Sequence, residues 1–251
     1  MATVPSSRGP KDRGIPRFDR DDRDGARLVL FDVDGTLISA GRAARESILA
    51  AISFVLGWKG SADGNDFSGK TDPQILRELV ADAVGFTRFE GMLDAVLDRY
   101  VQELGRRLRP EAVVSKPGVP ALLERLAGEP RVTLGLLTGN IERGARMKLE
   151  PPGFNRYFSF GAFGDDSADR YCLPAVAVSR ARERTGRDFS GRSVVIIGDS
   201  IHDVACGRSL GARAIAVATG PTPAERLAAE RPDHLFSDFA DVESAAEAIL
   251  R

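Results

Sequence analysis

Two apolar runs, each emptying into aspartates, constrain this chain more than any other feature. LVLF at residues 28–31 runs into Asp32, Val33 and Asp34, with a glycine turn at Gly35. VVII at residues 194–197 runs into Gly198 and Asp199. Runs with no polar residue belong to strands covered on both faces, as in a parallel sheet flanked by helices. A carboxylate at the mouth of such a strand can bind a metal or attack phosphorus. A second one two positions on can move protons for it.

The remainder of the chain alternates in the same style. From residue 113 the pattern predicts a helix over 117–127, a strand over 132–137, a helix over 140–149 and a short strand over 158–163. A helix over 174–185, strands over 193–197 and 213–217, and further helices complete it. Strands separated by helices of this length imply an α/β fold: a doubly wound, Rossmann-like parallel sheet with right-handed crossovers. Residues 40–112 break the alternation. Helical spacing over 42–56, loop chemistry over 57–69, a helix opening at Pro73 with Asp72 as its N-cap, and a helix over 89–108 predict an inserted helical domain. Trp58, Phe86 and Met92 are its expected core. The expected α/β core is then residues 27–39 plus 113–251. Residues 1–26, rich in Arg, Asp, Pro and Gly and without an apolar h-region, read as a disordered tail.

Charge narrows the function classes. Lys plus Arg number 35 and Asp plus Glu 36, so no overall field recruits nucleic acid or a membrane surface. No apolar stretch approaches the ~18–20 residues of a membrane span. Cys172 and Cys206 form neither a CxxC pair nor a metal spacing, which predicts a reduced, cytoplasmic protein.

Three further features accompany the Asp32–Asp34 pair. LLTGN at 136–140 offers the Thr138 hydroxyl, with backbone N–H groups of Gly139 and Asn140 at a helix start, a natural phosphate seat. GDSIHD at 198–203 adds Asp199 and Asp203, and Arg170 is a lone cation between those two motifs. In this order, DVDGTL, TGN and GDSxxD resemble the haloacid dehalogenase superfamily of aspartate-nucleophile phosphohydrolases, and the resemblance covers nearly everything from Leu28 onward.

The resemblance implies that Asp32 is the nucleophile, forming an aspartyl-phosphate, and that Asp34 is the general acid and then the base. It implies a Mg²⁺ held by the Asp32 carboxylate, the Asp34 carbonyl and the Asp199 carboxylate, with Asp203 as a further ligand or a support. Thr138 would bind phosphoryl oxygens. Most members carry a lysine, often in a KPxP run, between the second and last motifs; this chain has Arg170 there, whose fork of donors can neutralise phosphate instead. Lys148 is the rival cation; Arg170 is favoured because Lys148 lies ten residues past Thr138 on a helix expected to lead away from the site.

One decoy competes. GNDFSGKT at 64–71 matches the P-loop pattern, but the residues before it make a poor strand and Asp72-Pro73 follows it, where an acid would repel phosphates. The D-x-D pair is no EF-hand either, since Gly35 is the fourth residue and follows a strand. In the resembling family GKTD falls in a cap over the phosphate site, where Lys70 and Thr71 would face substrate; an N-capped loop with a solvated lysine is the alternative. The expected activity is a Mg²⁺-dependent phosphatase of a small phosphorylated metabolite, phosphoglycolate phosphatase-like. A sugar phosphomutase and a catalytically idle binding module on the same fold are the alternatives. Asp34 argues against dehalogenation, whose enzymes lack the second aspartate.

Overall fold

The computed structural model describes residues 25–84 and 89–251, apart from the side chains of 81–84. Phe86 and nearly all of the expected 1–26 tail lie outside the described residues.

The strands are β1 (Arg27–Phe31), β2 (Ile38–Ser39), β3 (Val114–Ser115), β4 (Val132–Leu137), β5 (Gly161–Ala162), β6 (Val194–Gly198), β7 (Arg213–Val217) and β8 (His234–Phe236). Six of them form one parallel sheet in the order β5-β4-β1-β6-β7-β8; β2 and β3 make a separate antiparallel pair. β1 is central, with Val29 beside Leu134 of β4 and Val195 of β6. The chain winds outward from β1 through β4 to β5, then returns to β6 and winds the other way. Strand order therefore reverses between β1 and β6, and a crevice opens beyond their carboxyl ends.

The period-2 alternation of a strand explains why β1 has no polar face. Leu28 and Leu30 pack with Leu173, Ala177 and Ala181 of the helix Leu173–Thr185. Val29 and Phe31 pack the other way, with Leu122 and Leu123 of Val119–Ala127 and Ile249 of Val242–Leu250. Each fully buried Leu or Phe of this kind contributes about 1.5–3 kcal/mol.

Between β2 and β3 the described elements are helical: α1 (Ala43–Leu56), α2 (Asp72–Val84) and α3 (Leu93–Arg107). They bury an apolar cluster of their own, including Ile48, Ile52, Leu76, Val96, Tyr100 and Leu104, with Trp58 packed against it. Met92 sits half-buried at the start of α3. Gly57, at φ 67°, ends α1 by donating its N–H to the Ser53 carbonyl. The remaining α-helices are α4 (Val119–Ala127), α5 (Glu142–Leu149), α6 (Leu173–Thr185), α7 (Ile201–Cys206), α8 (Ala224–Ala229) and α9 (Val242–Leu250). Among the described residues, no helix is long and apolar enough to cross a membrane.

The structure adds three short strands to those expected. β2, β3 and β8 have two or three residues each, too few to show a period. It also reassigns a cap. Thr71 Oγ1, not the Asp72 carboxylate, accepts the N–H of Gln74 at 3.2 Å at the start of α2.

Candidate active site

Asp32 and Asp34 leave β1 at the crevice. Asp32 N–H still donates to the Ile197 carbonyl of β6 at 2.9 Å, so the sheet's own pairing sets the nucleophile candidate's backbone. The turn that follows needs glycine. Gly35 has φ 89°, and a Cβ there would stand 2.4 Å from Asp199 Oδ2. Thr36 donates its hydroxyl to Asp199 Oδ1 at 3.0 Å, and Thr219 donates to the Gly35 carbonyl at 2.6 Å. Gly220 backs Asp199 so closely that any side chain would collide with the carboxylate.

Asp32, Asp199 and Asp203 are all buried, and carboxylate oxygens of the three lie within 4.8 Å of one another. Burial, reinforced by the Asp203 carboxylate and opposed by Arg170, pushes Asp32 up to about 7. Burial, with Asp32 and Asp203 adding to it, pushes Asp199 well above the usual carboxylate range. Three acids share one cation at close range. Arg170 donates to Asp32 Oδ1 at 2.9 Å and to the Leu137 carbonyl at 3.3 Å, and it also pairs with Asp203. Its buried Nε has no acceptor among the described residues. Burial works against the Arg170 charge, but Asp203 and Asp32 outweigh it and hold the guanidinium firmly protonated. Asp203 is fixed in turn, its Oδ2 accepting the Ser200 N–H at 2.9 Å and hydroxyl at 2.6 Å. Hard oxygen donors with surplus negative charge fit a divalent cation.

Asp34 belongs to a different network. Lys148 Nζ donates to Asp34 Oδ2 and to Asn140 Oδ1, each at 2.6 Å. Asn140 Nδ2 donates to Asp34 Oδ2 and to Thr138 Oγ1, each at 2.8 Å. This corrects the expectation about Lys148: α5 does not carry it away. Lys148 is 1% exposed and lies on the inward stripe of α5 with Ala145 and Leu149, pointing at the crevice. Asn140 also differs from expectation. Its backbone N–H points at Thr138 Oγ1 at 3.3 Å, and its side chain braces Asp34 instead of simply supplying an amide to phosphate.

The GKTD segment closes over these residues. Gly69, at φ 67°, approaches Ser200 and His202 too closely for a Cβ, and Gly139 approaches the Lys70 carbonyl in the same way. Asp72 N–H donates to the Gly139 carbonyl at 2.7 Å, while Asp72 Oδ2 accepts the Ile141 N–H at 2.9 Å. Asp72 is thus a clamp between α2 and the loop after β4. Burial pushes it up to about 6 against the pull of Lys148 and the Ile141 N–H. Lys70 pairs with Glu78 at 2.5 Å at the edge of the crevice. Thr71 does not reach it: the side chain is buried and its hydroxyl donates to the Ala168 carbonyl at 2.7 Å.

Together these residues line a cavity of about 460 Å³, within the usual range for small-molecule sites. Asp32, Asp34, Thr138, Asn140, Arg170 and Asp199 face it from the sheet, joined by Gly139, Lys70 and Lys148; Asp203 stands behind, reaching it through Arg170. Sequence reasoning missed Thr36, Asp72 and the placement of Lys148. A lysine on the apolar stripe of a short helix was the available signal for the last.

Known proteins resemble this chain over most of its length. The family profile described as haloacid dehalogenase-like hydrolase matches residues 29–217. The chain is 27% identical to a phosphoglycolate phosphatase of Agrobacterium fabrum, across 85% of this chain and 89% of that protein. It is 26% identical to the pyrophosphatase PpaX of Bacillus velezensis, across 85% and 93%. A solved hydrolase structure from Pseudomonas syringae superposes with a TM-score of 0.67 at 18% identity, covering 89% of this chain and 99% of the other. With the profile spanning most of the sequence and its aspartates gathered at one crevice, the chain belongs to the haloacid dehalogenase-like hydrolases.

Proposed function

We propose that this protein is a magnesium-dependent phosphatase that hydrolyses a small phosphorylated metabolite through an aspartyl-phosphate at Asp32, with phosphoglycolate the favoured substrate. One observation carries the reading: Asp32, Asp199 and Asp203 cluster within 4.8 Å, with Asp32 and Asp199 lining the crevice that Thr138 also faces. Asp32 and Asp199, with the Asp34 carbonyl, would hold the ion, and Asp203 would be a further ligand or a support from behind. When bound, Mg²⁺ supplies the positive charge that lets a carboxylate approach an anionic phosphate.

The chain's own groups account for the rest. An Asp32 carboxylate oxygen forms a bond to phosphorus as the bond to the leaving oxygen breaks. Asp34 gives that oxygen a proton, then takes one from the water that attacks the aspartyl-phosphate and frees inorganic phosphate. Asn140 and Lys148 hold the Asp34 carboxylate in place for both transfers. Thr138 and the Gly139 amide bind phosphoryl oxygens, with the positive charge of Arg170 beside them in the cavity wall. The helical block, residues 40–112, acts as a cap that sheds water from the first transfer. Phosphoglycolate is favoured because relatives named for it align over most of both chains. The two free cysteines support a reducing compartment, the cytoplasm.

The test is inorganic phosphate release from a panel of phosphomonoesters, with and without Mg²⁺, by the wild type and Asp32→Asn. The expected result is Mg²⁺-dependent release that the variant loses, together with label from substrate phosphate trapped on Asp32. Undiminished turnover by Asp32→Asn would defeat the proposal.

A further inference from the structure

Five cations line the cavity: Arg45, Lys70, Lys116, Lys148 and Arg170. Three have carboxylate partners, since Arg170 pairs with Asp32 and Asp203, Lys148 with Asp34 and Lys70 with Glu78. Arg45 and Lys116 have none within 4.0 Å among the described residues. The Lys116 ammonium is held by the Thr219 carbonyl at 2.6 Å, joining two segments of the sheet domain. Arg45 is different, because it stands on α1 in the wall that the helical block adds.

Arg45 is also held still. Nη1 donates to the Asn65 carbonyl at 3.3 Å, Nη2 donates to the Ala62 carbonyl, and the guanidinium lies 4.7 Å from the Phe67 ring centroid. Carbonyl oxygens and a ring face orient a guanidinium without cancelling its charge. The result is a fixed, uncompensated cation at the cavity surface, ready to bind an anion with little ordering cost.

Its placement suits one part of the substrate. In-line displacement puts the leaving oxygen on the side of phosphorus opposite the attacking Asp32 oxygen. The leaving group therefore extends away from Asp32, and the cavity it must occupy is lined from the helical block by Arg45, Ile48, Phe67 and Ile75.

We propose that Arg45 is a specificity-determining residue that binds a second anionic group on the leaving portion of the substrate. This inference rests on the phosphatase reading and narrows its substrate class to phosphoesters or phosphoanhydrides bearing a further carboxylate or phosphate.

The experiment compares kcat/KM for three substrates: 2-phosphoglycolate, inorganic pyrophosphate and the uncharged analogue 2-hydroxyethyl phosphate. Wild-type protein is expected to prefer one of the two charged substrates over the analogue by 10-fold or more, which also tells carboxylate from phosphate. Arg45→Gln should collapse that ratio at least 10-fold, mainly through KM, and Arg45→Lys should restore part of it. A purely structural Arg45 would lower all three values in step and leave the ratio intact, which overturns the inference. So would a wild type with no charged preference. Turnover of p-nitrophenyl phosphate by the wild type tests the phosphatase reading separately: if present while the preference is absent, only the specificity claim fails.

Discussion

Lys148 Nζ lies 2.6 Å from Asp34 Oδ2, although the two residues are 114 positions apart in the chain. The same ammonium reaches Asn140, so one buried cation sets the orientation of the proposed proton carrier and of its other partner. Lys148→Met should leave Asp34 free to rotate and lower kcat for an alkyl phosphate by about 10²-fold. The loss should be several-fold smaller for p-nitrophenyl phosphate, whose leaving group needs no proton. Steady-state kinetics on the two substrates check this, and equal losses would show that Lys148 does not act through Asp34.

Asp72 makes stability depend on pH in an unusual direction for a carboxylate. In the unfolded chain it releases its proton near 4, whereas burial in the folded protein holds the proton up to about 6. Its contribution is therefore fully present below about 4 and is lost as pH rises through about 6. The differential amounts to roughly 3 kcal/mol at neutral pH, counting about 1.4 kcal/mol per pKa unit. Asp72→Asn retains an acceptor for the Ile141 N–H and cannot ionise. Urea unfolding should find the variant gaining on the wild type between pH 4 and pH 7.5; a difference independent of pH would contradict the assignment.

Gly139 lies where the loop after β4 meets the segment before α2. A Cβ on Gly139 would stand 2.0 Å from the Lys70 carbonyl oxygen and 2.7 Å from its carbon. Backbone cannot yield as a flexible side-chain end can. Gly139→Ala should push residues 69–72 off the crevice, raising KM more than it lowers kcat and destabilising the protein by about 1–3 kcal/mol. Kinetics and denaturant unfolding of the variant measure both effects.

A divalent ion that binds the Asp32–Asp199–Asp203 cluster should stabilise the folded protein, by about 2.7 kcal/mol at 100 times its dissociation constant. Melting temperature should rise with Mg²⁺ concentration and fall back on addition of EDTA. Asp199→Asn should blunt the rise.

Much of this architecture was legible because long apolar runs carry a strong signal. β4 and β7 have the expected bounds, and the aspartates after β1 and β6 share one crevice because strand order reverses between those two strands. Short elements were not legible. β8 is His-Leu-Phe on a sheet edge, half-exposed and flanked by polar residues, so nothing in its sequence distinguishes it from loop. Lys148 was misjudged for another reason. Distance along the chain from Thr138 does not translate into distance in space, because α5 packs back along the crevice and a lysine two turns in still points at Asp34. Thr71 and Asp72 divide their work in a way that composition does not disclose. The threonine caps α2 and ties to Ala168, leaving the aspartate to grip a loop that follows a different strand.

The place of β1 has a consequence for how the chain acquires its structure. Its neighbours are Val132 through Leu136 on one side and Val194 through Ile197 on the other, all emerging from the ribosome long after it. The helical segment between needs no such wait, since its apolar cluster is drawn almost wholly from contiguous residues. The intervening bundle is thus built from contacts much closer in sequence, whereas the sheet's axis waits for partners far along the chain. Closing it calls for contacts of high sequence separation, the slow and aggregation-prone step of assembly.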